Sequence, residues 1–377
     1  MKMTDLERAY RHFERHKEVG YLKLTMVHKI ALSLVFFVLI PTAISNLFFI
    51  AKRKKKETFI LEYTDTQPYK TIYKQLREIR ELTFISLPRW YIPIVPKIFL
   101  RDVLDTFTTN PSFIFYNLPF LGALALKISK YHFLIREQGI SKLIVLQEYS
   151  FYSSYLTRML EYEKGALYNI QHGIPGVTYC FFRFTKCFVW GEYYKQEYIK
   201  NSAEKTQFLI AGSIFHWALK NTKEVKNDID ILYVMQGYAG GKEDTLDILN
   251  VLNKFVDQYT VRVLQHPRHK ITIDNNLKEF NGDVIEAIGR SKVILSRYST
   301  SLLDAQYLNK YTLAYVGNNQ KIEAYVTYLD TEQVIKDLDT LYIKLQDALK
   351  EEFQSYLDKS YIDREINPLK VIRDECT

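Results

Sequence analysis

The amino-acid sequence predicts an α/β protein with two doubly wound domains on parallel sheets, preceded by an apolar, membrane-associating helical segment. Three observations predict it. Short apolar runs alternate with longer helical patterns over most of the chain, a polar stretch interrupts that series once, and an uncharged run near the N-terminus meets a block of basic residues. Strands alternating with helices imply parallel pairing through crossover helices. Length and composition agree: 377 residues suffice for two cores, and 47% hydrophobic with 25% charged is a globular balance.

The first element is "IALSLVFFVLIPTAISNLFFIA", residues 30–51, followed at once by Lys52-Arg53-Lys54-Lys55-Lys56. Its length suffices to cross a hydrocarbon core of about 30 Å. The charged segment before it is too long for an ordinary cleavable signal, and no small-x-small site follows. Three readings stay open: a spanning helix with the basic run inside, a helix broken near Pro41 lying in the interface, and a buried helix of a soluble domain. The net charge of +8 admits nucleic acid, an anionic membrane or an anionic small substrate as partner. The basic run accounts for much of that excess, and no helix-turn-helix, zinc-finger or RNP signature is present, so nucleic acid is not expected.

The remaining elements follow in order. Strands are expected at Phe59–Tyr63, Leu82–Ser86, Leu143–Gln147, Ala166–Gln171, Cys187–Trp190 and Phe208–Ala211, with helices over Tyr69–Arg80, Phe151–Glu163 and Tyr193–Asn201. The proline- and aromatic-rich stretch Arg89–Tyr131 yields only a coarse reading. A linker, "LKNTKEVKNDID", covers 219–230. Beyond it come strands Ile231–Met235, Thr260–Leu264, Lys292–Leu295 and Thr312–Val316, and helices Asp244–Asp257, Asp274–Phe280 and Ser301–Leu308. The expected organisation is therefore a membrane-associating segment (1–56), a first Rossmann-like α/β domain (57–218), the linker (219–230), a second Rossmann-like α/β domain (231–345) and a helical tail (346–377).

Open α/β sheets bind ligands beyond the carboxyl ends of their strands. "ALYNIQHGIPG" ends an apolar run in Gln171-His172-Gly173, and "VRVLQHPRH" repeats that grammar with Gln265-His266-Pro267-Arg268. Arg268 offers a planar fork for phosphate oxygens and His266 a hydrogen-bond donor. "SKVILSRYSTSLLDAQYLNK" leads from Ser296 through Ser299-Thr300-Ser301 into a helix, where free backbone N–H groups suit a phosphate. Ser301 with Asp304 also reads as an ordinary capping box. "FLIAGS" ends at Gly212-Ser213, where a small residue allows a ligand or a neighbouring backbone to come close. "YVMQGYAGGKED" has neither dinucleotide-fingerprint nor P-loop order, and no metal-binding pattern occurs. Three irregularly spaced cysteines argue against a disulfide framework. A metal-independent site for a nucleotide mono- or diphosphate, with no cofactor, fits this inventory.

In this order and spacing, "QHG", "FVWGEYYKQEYIK", "FLIAGS", "QHP" and "RYSTSLLDA" resemble the GT-B bacterial surface-polysaccharide transferases over roughly residues 140–320. The similarity extends to capsule and lipopolysaccharide glycosyltransferases, CDP-glycerol glycerophosphotransferases and CMP-sugar (sialyl- and Kdo-type) transferases. The resemblance implies two facing Rossmann-like domains and functional roles for His172 and His266. It also implies that His266-Pro267 and Ser299-Thr300 surround the phosphate of a CMP- or CDP-linked donor. Two positions depart from the pattern: His216 stands where many relatives have an acid, and Asp304 where glutamate is more usual. The expected reaction is sugar transfer to a glycan or lipid-linked acceptor (capsule, lipopolysaccharide or O-antigen) at the cytoplasmic face of the inner membrane. His172 is the expected base, with Glu148 and Asp65 in reserve. Gly173, Gly212, Ser213, His266, Arg268, Ser299, Thr300, Ser301 and Asp304 are expected on the donor side. Rival readings are a polyol-phosphate transferase, a sugar-nucleotide epimerase and a non-catalytic subunit of a polysaccharide assembly complex.

Overall fold

The computed structural model describes residues 5–18, 24–42, 57–62, 69–146, 152–174, 184–200, 206–220, 227–236, 242–266, 270–273, 276–319, 323, 326–350 and 357–376. The chain divides into two compact units, Met1–Phe215 with Asp363–Thr377, and His216–Ile362. Each carries one six-stranded, wholly parallel sheet. This is an α/β fold of the GT-B kind.

In the first unit, α1 (Asp5–Glu18) and α2 (Met26–Leu39) precede β1 (Thr58–Glu62). Then come α3 (Tyr69–Leu76), β2 (Leu82–Ser86), α4 (Lys97–Thr109), α5 (Pro111–Tyr116), α6 (Leu118–Gln138) and β3 (Lys142–Val145). The series continues with α7 (Ser153–Tyr162), β4 (Ala166–Ile170), β5 (Lys186–Val189), α8 (Glu192–Lys200) and β6 (Gln207–Ile210). The strand order is β2-β1-β3-β4-β5-β6, so the connection reverses between β1 and β3. These strands read as near-continuous apolar runs because helices cover both faces of a parallel sheet; Phe59, Ile60, Leu61, Leu143, Ile144 and Val145 are all buried.

The chain crosses to the second unit along α9 (Ile214–Lys220). There follow β7 (Ile229–Val234), α10 (Lys242–Asn253), β8 (Val261–Leu264), β9 (Lys278–Glu279), α11 (Val284–Gly289) and β10 (Ser291–Ser296). Next are α12 (Thr300–Tyr307), β11 (Tyr311–Tyr315), β12 (Val334–Ile335) and α13 (Leu338–Lys350). The order β12-β11-β10-β7-β8-β9 reverses between β7 and β10. A last helix, α14 (Pro368–Cys376), belongs to the first unit. Thr58 Oγ1 donates to the Cys376 carbonyl at 2.7 Å, and Lys186 pairs with Glu375 at 2.5 Å. The end of the chain thus closes against its first sheet.

All ten expected strands form, with ends shifted by no more than about two residues. One expected helix does not. Asp274–Phe280 gives way to β9, where the Phe280 amide donates to the Val263 carbonyl at 2.9 Å. Leu277 and Phe280 are both buried, and their spacing of three suggests a helical face, but the open edge beside β8 takes the backbone instead. The two-residue β12 is too short for sequence periodicity to register.

Within the apolar 30–51 stretch, α2 ends at Leu39; residues 43–56 lie outside the described residues. Fourteen residues extend only about 21 Å, short of a hydrocarbon core. Moreover α2 docks on α6: a Cβ at Gly122 would stand 1.8 Å from the Leu32 carbonyl oxygen, so glycine permits this backbone contact. The described part thus packs on its own unit as far as Leu39, while residues 43–51 of the stretch, on which the spanning and interfacial readings turn, lie outside the described residues. Helix α6 is itself long and apolar enough to cross a membrane, with mean hydropathy 1.2, yet 56% of that window is buried in the unit.

Candidate functional site

β4 stops at Ile170, and the next side chain, Gln171, is only 1% exposed. Its Nε2 donates to the Gly173 carbonyl and its Oε1 accepts from the Trp190 amide, both at 3.0 Å. The Trp190 indole returns a bond to the Gln171 carbonyl, also at 3.0 Å. Gln171 thus clamps the ends of β4 and β5 and fixes the turn that carries His172. The half-buried imidazole packs on Tyr69, the first residue of α3, with ring centroids 4.7 Å apart. At Gly173 an added Cβ would meet no atom within 4 Å, so there is open space beside the histidine.

The other expected residues of this unit fare differently. Gly212 has φ +72°, and a Cβ there would come 3.1 Å from the Asp363 carbonyl oxygen. The chain returning towards α14 supplies the close neighbour, which accounts for glycine without a phosphate. Ser213 beside it is 3% exposed. Asp65 and Glu148 follow β1 and β3 in the chain, the strands where the connection reverses, and both lie outside the described residues.

In the second unit Ser296 Oγ donates to the Val234 carbonyl at 2.7 Å, tying β10 to β7 where that sheet's order reverses. Ser299, not Ser301, is the N-cap of α12: its Oγ accepts from the Ser301 amide at 3.2 Å and donates to Ser301 Oγ at 2.9 Å. The helix starts two residues earlier than a Ser301–Asp304 capping box requires. Thr300 stands exposed in the first turn. The Tyr328 hydroxyl donates to the Ser299 carbonyl at 3.2 Å. Burial, reinforced by the Asp304 carboxylate, pushes that phenol far above its ordinary pKa and keeps it a neutral donor.

Asp304 turns instead to His216, with Oδ1 2.8 Å from Nε2 and both residues buried. The His216 ring also packs on Tyr307 at 4.9 Å. The two departures from the resembled pattern are therefore direct neighbours.

His266 follows β8, half-buried, and Gln265 Oε1 accepts from the Ile271 amide at 2.8 Å. The glutamine before each histidine is thus the anchor of its loop. Sequence reasoning noted both glutamines but assigned them no part, although their recurrence was the available signal. Arg268 and residues 237–241 lie outside the described residues. Because β8, β7 and β10 are neighbours, His266 and the Ser299–Ser301 turn share one sheet edge, on either side of β7. Hydroxyls, an imidazole and a helix start suit an anion there. Among the described residues no group of three or more His, Cys, Asp or Glu could hold a metal ion.

No protein-family model matches the chain, and no curated protein matches it in sequence. Solved structures do match. The UDP-GlcNAc 2-epimerase of Methanocaldococcus jannaschii, in complex with UDP-GlcNAc and UDP, aligns with TM-score 0.53 and 12% identity over 84% of this chain and 98% of that one. A putative UDP-N-acetylglucosamine 2-epimerase from Listeria monocytogenes gives 0.55 and 12% over 84% and 94%. A variant of the wall teichoic acid polymerase TagF gives 0.50 and 12% over 94% and 98%. This chain shares the GT-B-like fold of enzymes from nucleotide-sugar and wall-polymer chemistry.

Proposed function

We propose that this chain is a GT-B glycosyltransferase of bacterial surface-polysaccharide synthesis, using a nucleotide-activated sugar, CMP- or CDP-linked. The observation that carries this reading is the second sheet's carboxyl edge, where His266 and the hydroxyl-capped start of α12 flank β7. In the proposed reaction an acceptor hydroxyl loses its proton to His172 as its oxygen bonds to the anomeric carbon. The bond from that carbon to the donor phosphate breaks, and the electron pair leaves with the phosphate. His266, Thr300 and the amides of α12 take the charge, with Arg268 as a further candidate. Transfer is metal-independent in this proposal, and the acceptor is a glycan or lipid-linked glycan of capsule, lipopolysaccharide or O-antigen.

We place the enzyme at the cytoplasmic face of the inner membrane. Met26, Val27, Ile30, Leu34, Phe37 and Val38 are all exposed and fall within an arc of about 120° on α2. Trp90 and Tyr116 are exposed elsewhere in the unit, at 91% and 85%. An apolar stripe with amphipathic aromatics suits an interfacial attachment, and Lys52–Lys56 suit anionic lipid.

The test is turnover and product analysis on acceptor-bearing membranes with CMP- and CDP-linked donors. His172→Ala should cut turnover on the order of 100-fold while leaving nucleotide affinity intact, since the base acts on the acceptor. A fully active variant removes His172 from the mechanism and makes Glu148→Gln the next test. Phosphodiester products in ³¹P NMR would move the assignment to a polyol-phosphate transferase. The epimerase likenesses favour one further reading, and conversion of a nucleotide sugar without any acceptor would establish it.

A further inference from the structure

The β10–α12 connection begins with Arg297. Its side chain is 2% exposed, and its one ionic contact among the described residues runs from Nη2 to Asp244 Oδ2 at 2.6 Å. The other two guanidinium nitrogens, Nε and Nη1, are buried with no hydrogen-bond partner among the described residues. Buried guanidinium N–H groups are costly to leave unpaired, and such groups in a folded protein call for an explanation.

Their position supplies one. Arg297 follows β10 and Asp244 lies in the first turn of α10, which follows β7. The pair therefore bridges the strand ends between which the sheet order reverses, the place where open α/β sheets bind ligands. The first turns of two helices lie beside it, that of α10 carrying Asp244 and that of α12 capped by Ser299, and both favour negative charge. Asp244 is the outer partner of the two: its side chain is 40% exposed, against 2% for Arg297. A planar fork held by a single contact is suited to a second, bidentate anion.

We propose that Arg297 binds a phosphate group of the nucleotide donor, and that Asp244 is the internal anion that phosphate competes with for the guanidinium. The inference rests on the nucleotide-donor reading and adds to it a specific phosphate ligand. A purely architectural ion pair would make the two residues equivalent, whereas a competing pair makes them opposites. Removing the arginine weakens the phosphate; removing the aspartate frees the fork.

Calorimetric titration of the full chain with cytidine, CMP and CDP tests this, in the wild type and in Arg297→Gln, Arg297→Lys and Asp244→Asn. Arg297→Gln should lower CMP or CDP affinity about ten- to a hundredfold, the range of a lost charged hydrogen bond, with cytidine unchanged. Arg297→Lys should recover part of that loss. Asp244→Asn should tighten CMP or CDP binding severalfold. The inference is overturned if Arg297→Gln binds the nucleotides as the wild type does. It is overturned equally if cytidine loses as much as CDP, or if Asp244→Asn fails to tighten binding. Should Arg297→Gln not fold, the sign of the Asp244→Asn effect decides alone. A wild type that binds no nucleoside phosphate overturns the donor reading itself; normal wild-type binding with an indifferent Arg297 overturns only this inference.

Discussion

Gly173 and Gly212 each follow a strand and precede a polar turn, and the fold treats them oppositely. Gly212 holds φ +72° with the Asp363 carbonyl oxygen 3.1 Å from where a Cβ would lie, while Gly173 faces open space. Gly212→Ala should therefore destabilise the chain by about 1–2 kcal/mol or more in urea unfolding. Gly173→Ala should leave the midpoint unchanged or slightly raised and lower turnover, because the methyl group intrudes only on bound substrate. Equal midpoints for the two variants would contradict this. The sequence gives no means to separate them, since the neighbour of Gly212 arrives from residue 363. By contrast the strand-end positions of His172 and His266 were legible, because an apolar strand that breaks into Gln-His is a local pattern. Arg297 and Asp244 were not: topology alone brings the two together.

At the scale of elements, the docked α2 and the helix α6 carry two further expectations. The stripe on α2 is exposed among the described residues, so Leu34→Glu with Phe37→Glu should release the protein from anionic vesicles while its melting temperature stays nearly unchanged. A melting temperature that falls would instead show that the stripe belongs to a buried core. On α6, burial, aided by Arg136, holds the His132 imidazole down at about 4, and its Nδ1–H donates to the Ile94 carbonyl at 3.2 Å. The folded state then refuses a proton that the unfolded chain accepts near 6.5. Stability from this residue is complete above about pH 6.5 and is lost as pH falls towards 4, by something on the order of 3 kcal/mol. His132→Gln should flatten that part of the pH profile of the urea midpoint, and parallel profiles for variant and wild type would refute it. The strands were readable because parallel-sheet burial writes continuous apolar runs. The helices from Lys97 to Gln138 were not, because their pattern is broken by prolines and aromatics packed among one another.

For the whole molecule, two parallel six-stranded sheets, each reversing order once, fix where ligands are expected, and solved structures share the fold at 12% identity. Fold alone does not choose between transfer and epimerisation, nor between bases. In the function proposed here the second unit holds a cytidine nucleotide by its phosphate, with no need of a metal. The most direct measurement is thermal unfolding of the purified chain with CMP, CDP, UDP, GDP and ADP, each with and without EDTA. CMP or CDP at about 100 times its dissociation constant should stabilise the fold by roughly 2.7 kcal/mol, with no change on adding EDTA. Stabilisation by UDP but by neither cytidine nucleotide would contradict the donor assignment, and stabilisation by none of the five would contradict the account as a whole.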